Sequence, residues 1–585
     1  MCLPAREYTD PQVRPGGDWV SAVVAEPAPG GTQTRLVMWR TANPEHSVVL
    51  LRDTATGRGL SGGVHVWSPD AGHVYVVTRE QGIVDVTVSG DQVVSVRRLA
   101  FDAARSWSTP AVSADGGALC AVADWHEVWV CDMATGEVRC EHVAESFAFD
   151  CVMGKEVRFH TWERPHMPWT QSRIHPDSDV KGRAAQQPRF SPDGRGFGFV
   201  DDSQGVNNVR LLADDIVNHD MVIDDDCEHG GPTWGPGQRT WCFNSDATRV
   251  AYTRNENGFG SLWVYDRLTR ERVQVARAVH GCLSWEADTL VAVRSGARTP
   301  QQVVAYDLSD PASPTRTVVA TGGHADWSLP EIDSELVEPT VHVCTNSPRP
   351  VTYRLYSPAQ PTGRLILWVH GGPTDQWQVT FRPRIAFWNS RGWAVAVVDH
   401  VGSTGHGREF MTYLHGQWGS MDGVTTWAVL QDLHVDRGFL PARTVLMGGS
   451  AGGLTAANVA GANNDMVARL VLQYPVVDLG DLLAGNDPFE THYMPTLVGT
   501  DDPAELAKRS PVRWAAQLAS VPILIFHGNL DTSVPLTHSQ KLRDAVVADG
   551  GEVQLEVMAG EGHGFRDPAN VLRELEITES FLGGL

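Results

Sequence analysis

Val445-Leu446-Met447-Gly448-Gly449-Ser450-Ala451-Gly452-Gly453-Leu454 decides how the rest of the chain is read. A short apolar run meets a Gly-x-Ser-x-Gly-Gly turn, and the small residues Thr455-Ala456-Ala457-Asn458-Val459-Ala460 follow. The pattern predicts a strand, a sharp turn and a helix, with one hydroxyl at the tip. Glycines flank the serine because the turn is strained and neighbouring backbones approach too closely for side chains. The serine then stands over a helix N-terminus, where free N–H groups can meet developing negative charge. A plain Gly-rich linker would look the same locally. The reading therefore depends on whether the chain supplies partners for this serine.

A serine hydroxyl needs a base to take its proton, and the base needs an acid to hold its tautomer. In an α/β-hydrolase the three follow in the order Ser, Asp, His. Asp531 lies in Phe526-His527-Gly528-Asn529-Leu530-Asp531-Thr532-Ser533, a turn just past an apolar strand. His563 is at the centre of Gly560-Glu561-Gly562-His563-Gly564-Phe565, a Gly-rich loop after the last strand. Ser450 and Asp531 are 81 positions apart, and Asp531 and His563 are 32 apart, which leaves room for the intervening strands and helices. An oxyanion needs two fixed donors: the N–H of Ala451 is one, and the N–H of Gly372 in His370-Gly371-Gly372-Pro373 is the other. His400 and His527, also just past strands, are read as structural.

Around these residues the C-terminal part carries a fully apolar run at 365–370 and further strand-like runs at 394–399, 445–447, 470–474, 523–527 and 553–558, separated by helix-length segments. Such runs predict a parallel sheet covered by helices on both faces. The candidate residues all fall just past strand ends, at the shared carboxyl edge where such sheets carry their sites.

The first 340 residues have a different texture, of short strands broken by turns. A unit repeats: Trp67-Ser68-Pro69-Asp70, Val112-Ser113-Ala114-Asp115, Phe190-Ser191-Pro192-Asp193-Gly194, Phe243-Asn244-Ser245-Asp246 and, more weakly, Ser284-Trp285-Glu286-Ala287-Asp288. Steps of 45, 53 and 42 residues suit four-stranded propeller blades better than two stacked β-sandwiches. The 78-residue gap between Asp115 and Asp193 has room for one degenerate unit around 157–162. With an irregular first unit over about 18–60 and a last one ending near 322, about seven blades are expected. The Pro- and aromatic-rich segment Trp162-Glu163-Arg164-Pro165-His166-Met167-Pro168-Trp169 reads as a stiff loop that covers a blade edge or faces a substrate chamber. The predicted architecture is a β-propeller over residues 1–335 and an α/β-hydrolase domain over 336–585.

Composition narrows the function. Basic and acidic residues number 47 and 70, a net charge of −23 without long runs of one sign. That argues against nucleic acid or anionic membrane as the main partner, because phosphate binding needs clustered Lys and Arg. There is no signal-peptide apolar region and no membrane-length apolar run, and the nine cysteines lack Cys-x-x-Cys zinc spacing. Cys131 and Cys140 could face each other across a hairpin, although reduced thiols are the preferred reading. A cytoplasmic protein that needs no metal or cofactor is expected.

His370-Gly371-Gly372-Pro373, Gly402-Ser403-Thr404-Gly405-His406-Gly407, Gly416-Gln417-Trp418-Gly419, the Ser450 motif and Gly560-Glu561-Gly562-His563-Gly564-Phe565 together resemble the prolyl oligopeptidase family of serine peptidases. The similarity is to its acylaminoacyl-peptidase-like and dipeptidyl-peptidase-like branch. The resemblance implies a propeller that caps the hydrolase, with a funnel limiting access to short peptides. Departures are equally plain. Val401 stands where the family commonly has Arg, His406 where Tyr is usual, and Thr426 near the place of a second Asp. Ser533, two residues after Asp531, replaces an Arg that often binds a substrate carbonyl, and no Glu-Glu pair for a free amine is evident. The expectation is a serine peptidase acting on short peptides or N-blocked aminoacyl substrates through an acyl-enzyme on Ser450. The alternative is an esterase, amidase, acyl transferase or cyclase of a specialised metabolite using the same three side chains. A non-catalytic scaffold is disfavoured by their presence together, and the oligomeric state is left open.

Overall fold

Seven small antiparallel sheets and one eight-stranded sheet hold the named strands of the computed structural model. It describes the whole chain except residues 1–2, 4, 29–30, 58–60, 177–182, 215, 218, 334–335 and 486–488. Two compact units result, one of Ala5–Gly323 with Gln378–Phe381, the other of Met1–Pro4, His324–Trp377 and Arg382–Leu585. The division falls after Gly323 and not after residue 335, as expected from sequence. Its physical reason is that Trp327 and Leu336 are buried and wall the same cleft as Phe387 and Leu575.

The first unit is a seven-bladed propeller. Its blades run over 7–52, 65–98, 107–143, 147–175, 185–222, 241–277 and 279–321, each built from consecutive strands. Six have four strands. The fourth has three, and it contains the degenerate unit expected around 157–162. The repeated Asp earns its place by bonding. Ser68, Ser113 and Ser191 each donate a hydroxyl to the Asp two residues on, at 2.5–2.6 Å, and Asp70 and Asp115 also accept the N–H of Gly72 and Gly117. Each motif therefore closes a tight hairpin. The first blade begins at Glu7, earlier than the expected 18, because a bulge at Thr9–Gln12 that includes Pro11 hides its alternation.

The first strand of a blade, such as Glu7–Val13 or Phe147–Met153, is inner and largely buried, and the last, such as Val138–Val143, is largely exposed. On or just before the inner strand of all seven blades one residue has positive φ: Asp10, Gly63, Thr109, Asp150, Gln187, Gly237 and Cys282. They kink the inner strands where they crowd around the axis. Gly62 N–H donates to the Gly237 carbonyl at 2.7 Å, joining blades two and six directly across the ring. The resemblance implied a funnel along this axis; at this level the described residues bridge it. Around the bridge are buried charges. Arg239 meets Asp10 at 2.6 Å, Asp150 accepts the Gly237 N–H, and Arg189 donates to the Gln238 carbonyl. Arg239 and His65 hold the Asp10 carboxyl well below its usual range against the opposing effect of burial. Burial pushes Asp150 up to about 6 and Arg189 down to about 10.

Trp162, Met167 and Trp169 of the stiff loop are buried, with Trp169 packed on Trp234 at 4.5 Å, so much of its apolar surface is spent on packing. Cys140 lies opposite Trp129 and not Cys131, and the eight described cysteines are all free thiols. No helix among the described residues is long and apolar enough to cross a membrane.

In the second unit the sheet comprises β1 (Thr340–Cys344), β2 (Val351–Tyr356), β3 (Arg364–Val369), β4 (Trp393–Val398), β5 (Thr444–Gly449), β6 (Arg469–Gln473), β7 (Ile523–Gly528) and β8 (Val553–Met558). Their spatial order is β1-β2-β4-β3-β5-β6-β7-β8, antiparallel at the first two pairings and parallel from β4 onward. Helices α1 (Pro383–Asn389), α2 (Gly407–Thr412), α3 (Met421–Val435), α4 (Ala451–Ala462), α5 (Thr537–Ala548) and α6 (Pro568–Leu582) connect or follow the strands. One core cluster unites Leu365, Leu367 and Leu446 of the sheet with Val429 and Leu433 of α3 and Ala456 and Ala460 of α4. Crossing over after β3, β5 and β7 leaves their carboxyl ends open at one edge.

Asp10→Asn should destabilise the propeller by about 3–5 kcal/mol, since Arg239 keeps a buried charge without its partner. Because the Asp10 pKa is lowered by folding, its contribution is present above the ordinary Asp range and is lost as pH falls below it. The gap between wild type and variant in urea melts should therefore be full at pH 7 and narrow in acid. Equal stability at pH 7 would contradict this account.

Candidate active site

Five residues were expected at the site, and the carboxyl edge explains the position of each. Strand β5 ends at Gly449, Ser450 turns, and α4 starts at Ala451. Ser450 has φ 55° and ψ −125°, a conformation that costs a non-glycine residue about 1–3 kcal/mol unless its surroundings impose it. They do. A side chain on Gly448 would overlap the Gly452 carbonyl, one on Gly452 would overlap the Val369 and His370 carbonyls, and one on Gly453 would lie 2.7 Å from Pro475 Cβ. The glycines of the motif exist because strand, turn and helix are this close.

Asp531 and His563 meet. Asp531 is buried just beyond β7, and its Oδ1 accepts the N–H groups of Ser533 and Val534 at 3.0 and 2.9 Å. Its Oδ2 faces His563 Nδ1 at 2.7 Å. A carboxylate only accepts, so Nδ1 carries the proton and the Nε2 lone pair is left available as a base. The His563 loop crosses over β7: a Cβ on Gly528 would overlap the carbonyls of Glu561 and Gly562. His527 is structural, as expected. Its Nε2–H donates to the Val534 carbonyl, its Nδ1 accepts from Ser539, and burial lowers its pKa and keeps it neutral.

The His370-Gly371-Gly372 turn passes directly beside the serine. A Cβ on Gly371 would be 3.4 Å from Ser450 Cβ and 3.2 Å from the Gly449 carbonyl. Among the described residues neither Gly372 N–H nor Ala451 N–H donates to a protein acceptor. Two free donors on either side of a hydroxyl are the arrangement an oxyanion requires. Behind the turn, His370 Nδ1 donates to the Gly371 carbonyl at 2.8 Å, and His370 Nε2 lies 2.7 Å from Ser403 Oγ. The His370 ring stacks on His400 at 4.6 Å, and both are buried. His400 donates Nδ1 to the Val401 carbonyl, again a structural bond.

Of the departures from the family pattern, His406 acquires a physical role. His406 bonds Asp399 at 2.8 Å, in a buried cluster that also contains Arg354 and Gln376. Arg354 holds the Asp399 carboxyl far below its usual range despite full burial. Thr426, singled out from sequence, has a buried hydroxyl with no hydrogen-bond partner among the described residues. The acid of this region is Asp422, which accepts from Gly419 N–H at 2.8 Å and from Thr455 Oγ on the nucleophile helix. Ser533 is exposed.

Two contributors escaped the sequence reading. Tyr474, at φ 38° just past β6, packs its ring on His563 at 4.5 Å and lies 3.4 Å from where a Gly449 Cβ would be, thus standing between base and elbow. Burial pushes its phenol up to about 12. Tyr493 Oη accepts the Thr374 N–H at 3.1 Å and steadies the oxyanion turn. A tyrosine after an apolar run carries no signal of its own; only the fold brings these two to the edge.

Residues 379–584 match the prolyl oligopeptidase family. A dipeptidyl aminopeptidase BIII of Pseudoxanthomonas mexicana is 25% identical over 508 residues, 79% of this chain and 70% of that protein. The acylamino-acid-releasing enzyme of Mus musculus is 24% identical over 238 residues, 39% of this chain and 31% of that protein. The match thus spans about a third of the length of the mouse relative. Among solved structures, a puromycin-hydrolysing peptidase of Mycobacterium tuberculosis superposes with TM-score 0.83 at 22% identity, covering 99% of this chain and 94% of the other, and shares the fold.

Gly528→Ala should push the His563 loop off β7. Labelling of Ser450 by a fluorophosphonate is expected to slow by about 10²-fold, the order of loss that a 1 Å misplacement produces. An unchanged labelling rate would show that the loop does not depend on this contact.

Proposed function

With residues 379–584 belonging to the prolyl oligopeptidase family, we propose that the chain is a serine peptidase that cleaves short peptides or N-blocked aminoacyl substrates. Ser450 Oγ attacks the acyl carbon while His563 Nε2 takes its proton. Asp531 holds the Nδ1–H tautomer and offsets the imidazolium charge. The carbonyl oxygen, now negative, receives the N–H bonds of Gly372 and Ala451. His563 then gives its proton to the leaving amine, and an acyl-enzyme remains. Water repeats the sequence, its proton passing through His563 to Ser450 as the acid leaves. The observation that carries this reading is the pair of free N–H donors flanking a hydroxyl on a strained turn. The Asp531–His563 bond supports it, as do the activities named for the mouse and Pseudoxanthomonas relatives. A reducing, cytoplasmic setting fits the free thiols.

A second reading keeps the same chemistry and changes the acyl group: an amidase or esterase of a specialised metabolite. It is favoured by Ser533, which offers a hydroxyl where a guanidinium would grip a peptide carbonyl, and by the puromycin-hydrolysing fold neighbour.

Turnover of acylaminoacyl and dipeptidyl p-nitroanilides beside p-nitrophenyl esters separates the two. Anilide hydrolysis is expected; ester turnover alone would transfer the protein to the second reading. Asp531→Asn should lower kcat by about 10⁴-fold through the wrong tautomer. Ser450→Ala should be inert to substrate and to fluorophosphonate, and a folded native protein that takes up no label would refute both readings.

A further inference from the structure

Two arginines packed into the second unit have carboxylates of their own: Arg354 donates to Asp399 at 2.7 Å and Arg384 to Glu574 at 2.6 Å. Arg382, between the oxyanion turn and α1, makes no ion pair and no hydrogen bond among the described residues. A surface guanidinium gives its five N–H groups to water. Arg382 lies deeper than that. Its Nε is buried without an acceptor, its Cζ stands 4.2 Å from the centre of the Trp377 ring, and burial drives its pKa down to about 10. It is still a cation at neutral pH. The Nη groups are not among the buried atoms and remain open to a ligand.

Trp377 packs on Trp368 at 5.4 Å, near the end of β3, so the stretch after the oxyanion turn folds back over the strand that carries it. Tyr356, Val395 and Ile366 lie in one row across β2, β4 and β3, which places Tyr356 on the same face of the sheet as Trp368. The Tyr356 hydroxyl also meets no partner among the described residues. Burial raises its pKa while Arg354 and Arg382 oppose the rise, so the phenol keeps its proton within reach of the guanidinium's field.

Donors without an acceptor call for a ligand that accepts, and a cation calls for an anion. The size of the charge is also set. Arg354 is spent on Asp399, and Asp375 acts on Arg382 through its field without pairing with it. One negative charge is therefore matched and a second is repelled. Two oxygens in one plane suit the guanidinium fork. We propose that Arg382 and Tyr356 bind a monoanionic carboxylate, held by two N–H groups of the guanidinium and by the phenol O–H. Its source is a small free acid or a carboxylate of the substrate itself. The second source rests on the serine-hydrolase reading of Ser450 and narrows the substrate class to peptides or acyl compounds with a free acid group.

The test uses the full chain. Thermal melts are followed while sodium acetate replaces sodium chloride at constant ionic strength. Arg382→Met keeps an unbranched stem against Trp377 and removes the charge, so the response it shares with the native protein is the general effect of the salt. Native protein should gain extra stability that grows with acetate, because a ligand of the folded state stabilises by mass action. Arg382→Met should lack that gain, and Tyr356→Phe should need about tenfold more acetate to reach it. With no partner to lose, Arg382→Met should melt no lower than native in chloride. An equal response to acetate in native and Arg382→Met overturns the proposal. So does a marked fall in the melting of Arg382→Met in chloride, which would reveal a partner inside the protein, and so does stronger stabilisation by dianionic phosphate than by acetate. Kinetics then assign the source. Short peptides with a free C-terminal carboxylate are compared with their amides. A preference for the acid of about 10–10²-fold in kcat/KM, collapsing towards one in Arg382→Met and partly restored in Arg382→Lys, assigns the carboxylate to the substrate. Equal rates on acid and amide, changed by acetate in the native protein and not in Arg382→Met, assign it to a free acid. If no substrate is turned over, the reading of Ser450 fails on its own, and the melts still decide the binding site.

Discussion

The backbone of Ser450 is the constraint on which the second unit depends. Its N–H donates to the Gln473 carbonyl at 3.0 Å, and its own carbonyl receives the N–H groups of Gly453, Leu454 and Val476 at 3.0–3.3 Å. Four bonds to α4, to the end of β6 and to the segment after it hold a conformation the residue would not choose. Their geometry brings helix, strand and oxyanion turn within overlap distance of one another, and so removes the side chains at 448, 452 and 453. The hydroxyl is left at the tip with helix N–H groups beneath it.

A second device holds the loops around that tip in place: buried charge with all of its partners present. Asp399 lies at the end of β4 and is shared by Arg354 from β2, by His406 from the start of α2 and by Gln376 from the oxyanion turn. Three loops and strands distant in sequence converge on one carboxylate. An isolated charge there would be costly, whereas a saturated one fixes register and orientation more than it adds stability. The propeller uses the same logic at its axis, where Asp10 is surrounded by Arg239, His65 and the Val64 N–H.

What could be read from sequence was whatever the backbone forces on residue type. The glycines around Ser450 are demanded by overlap, and the turn aspartates of the blades are demanded by hydrogen bonds to their own chain, so both announced themselves. The inner-strand kinks did not. Asp10, Thr109, Asp150, Gln187 and Cys282 share a left-handed conformation but no chemistry, because crowding at the ring's centre imposes it and not the side chain. Tyr474 was illegible for a related reason: it acts through a contact with His563, on a loop far away in sequence. Thr426 shows the limit of motif spacing on a helix, where one position is a rotation of about 100°. Both hydroxyls are buried, but the one with partners belongs to Thr425, which donates to the Met421 carbonyl and accepts the Val401 N–H, and the acid lies a turn earlier at Asp422.

The propeller begins at Ala5 and ends at Gly323, and the Gly323 N–H donates to the Arg6 carbonyl at 3.1 Å. The two ends of this stretch of over three hundred residues thus lie one hydrogen bond apart. No strand is exchanged between its first and last blades, and the ring closes by packing of Tyr8, Val20 and Trp39 on Val291, Val303 and Ala305. In chain topology it is a ring with adjacent ends, closed by side-chain packing alone. Linking those ends with a short turn and opening the ring between two other blades should therefore be tolerated, because neighbouring termini are what circular permutation needs.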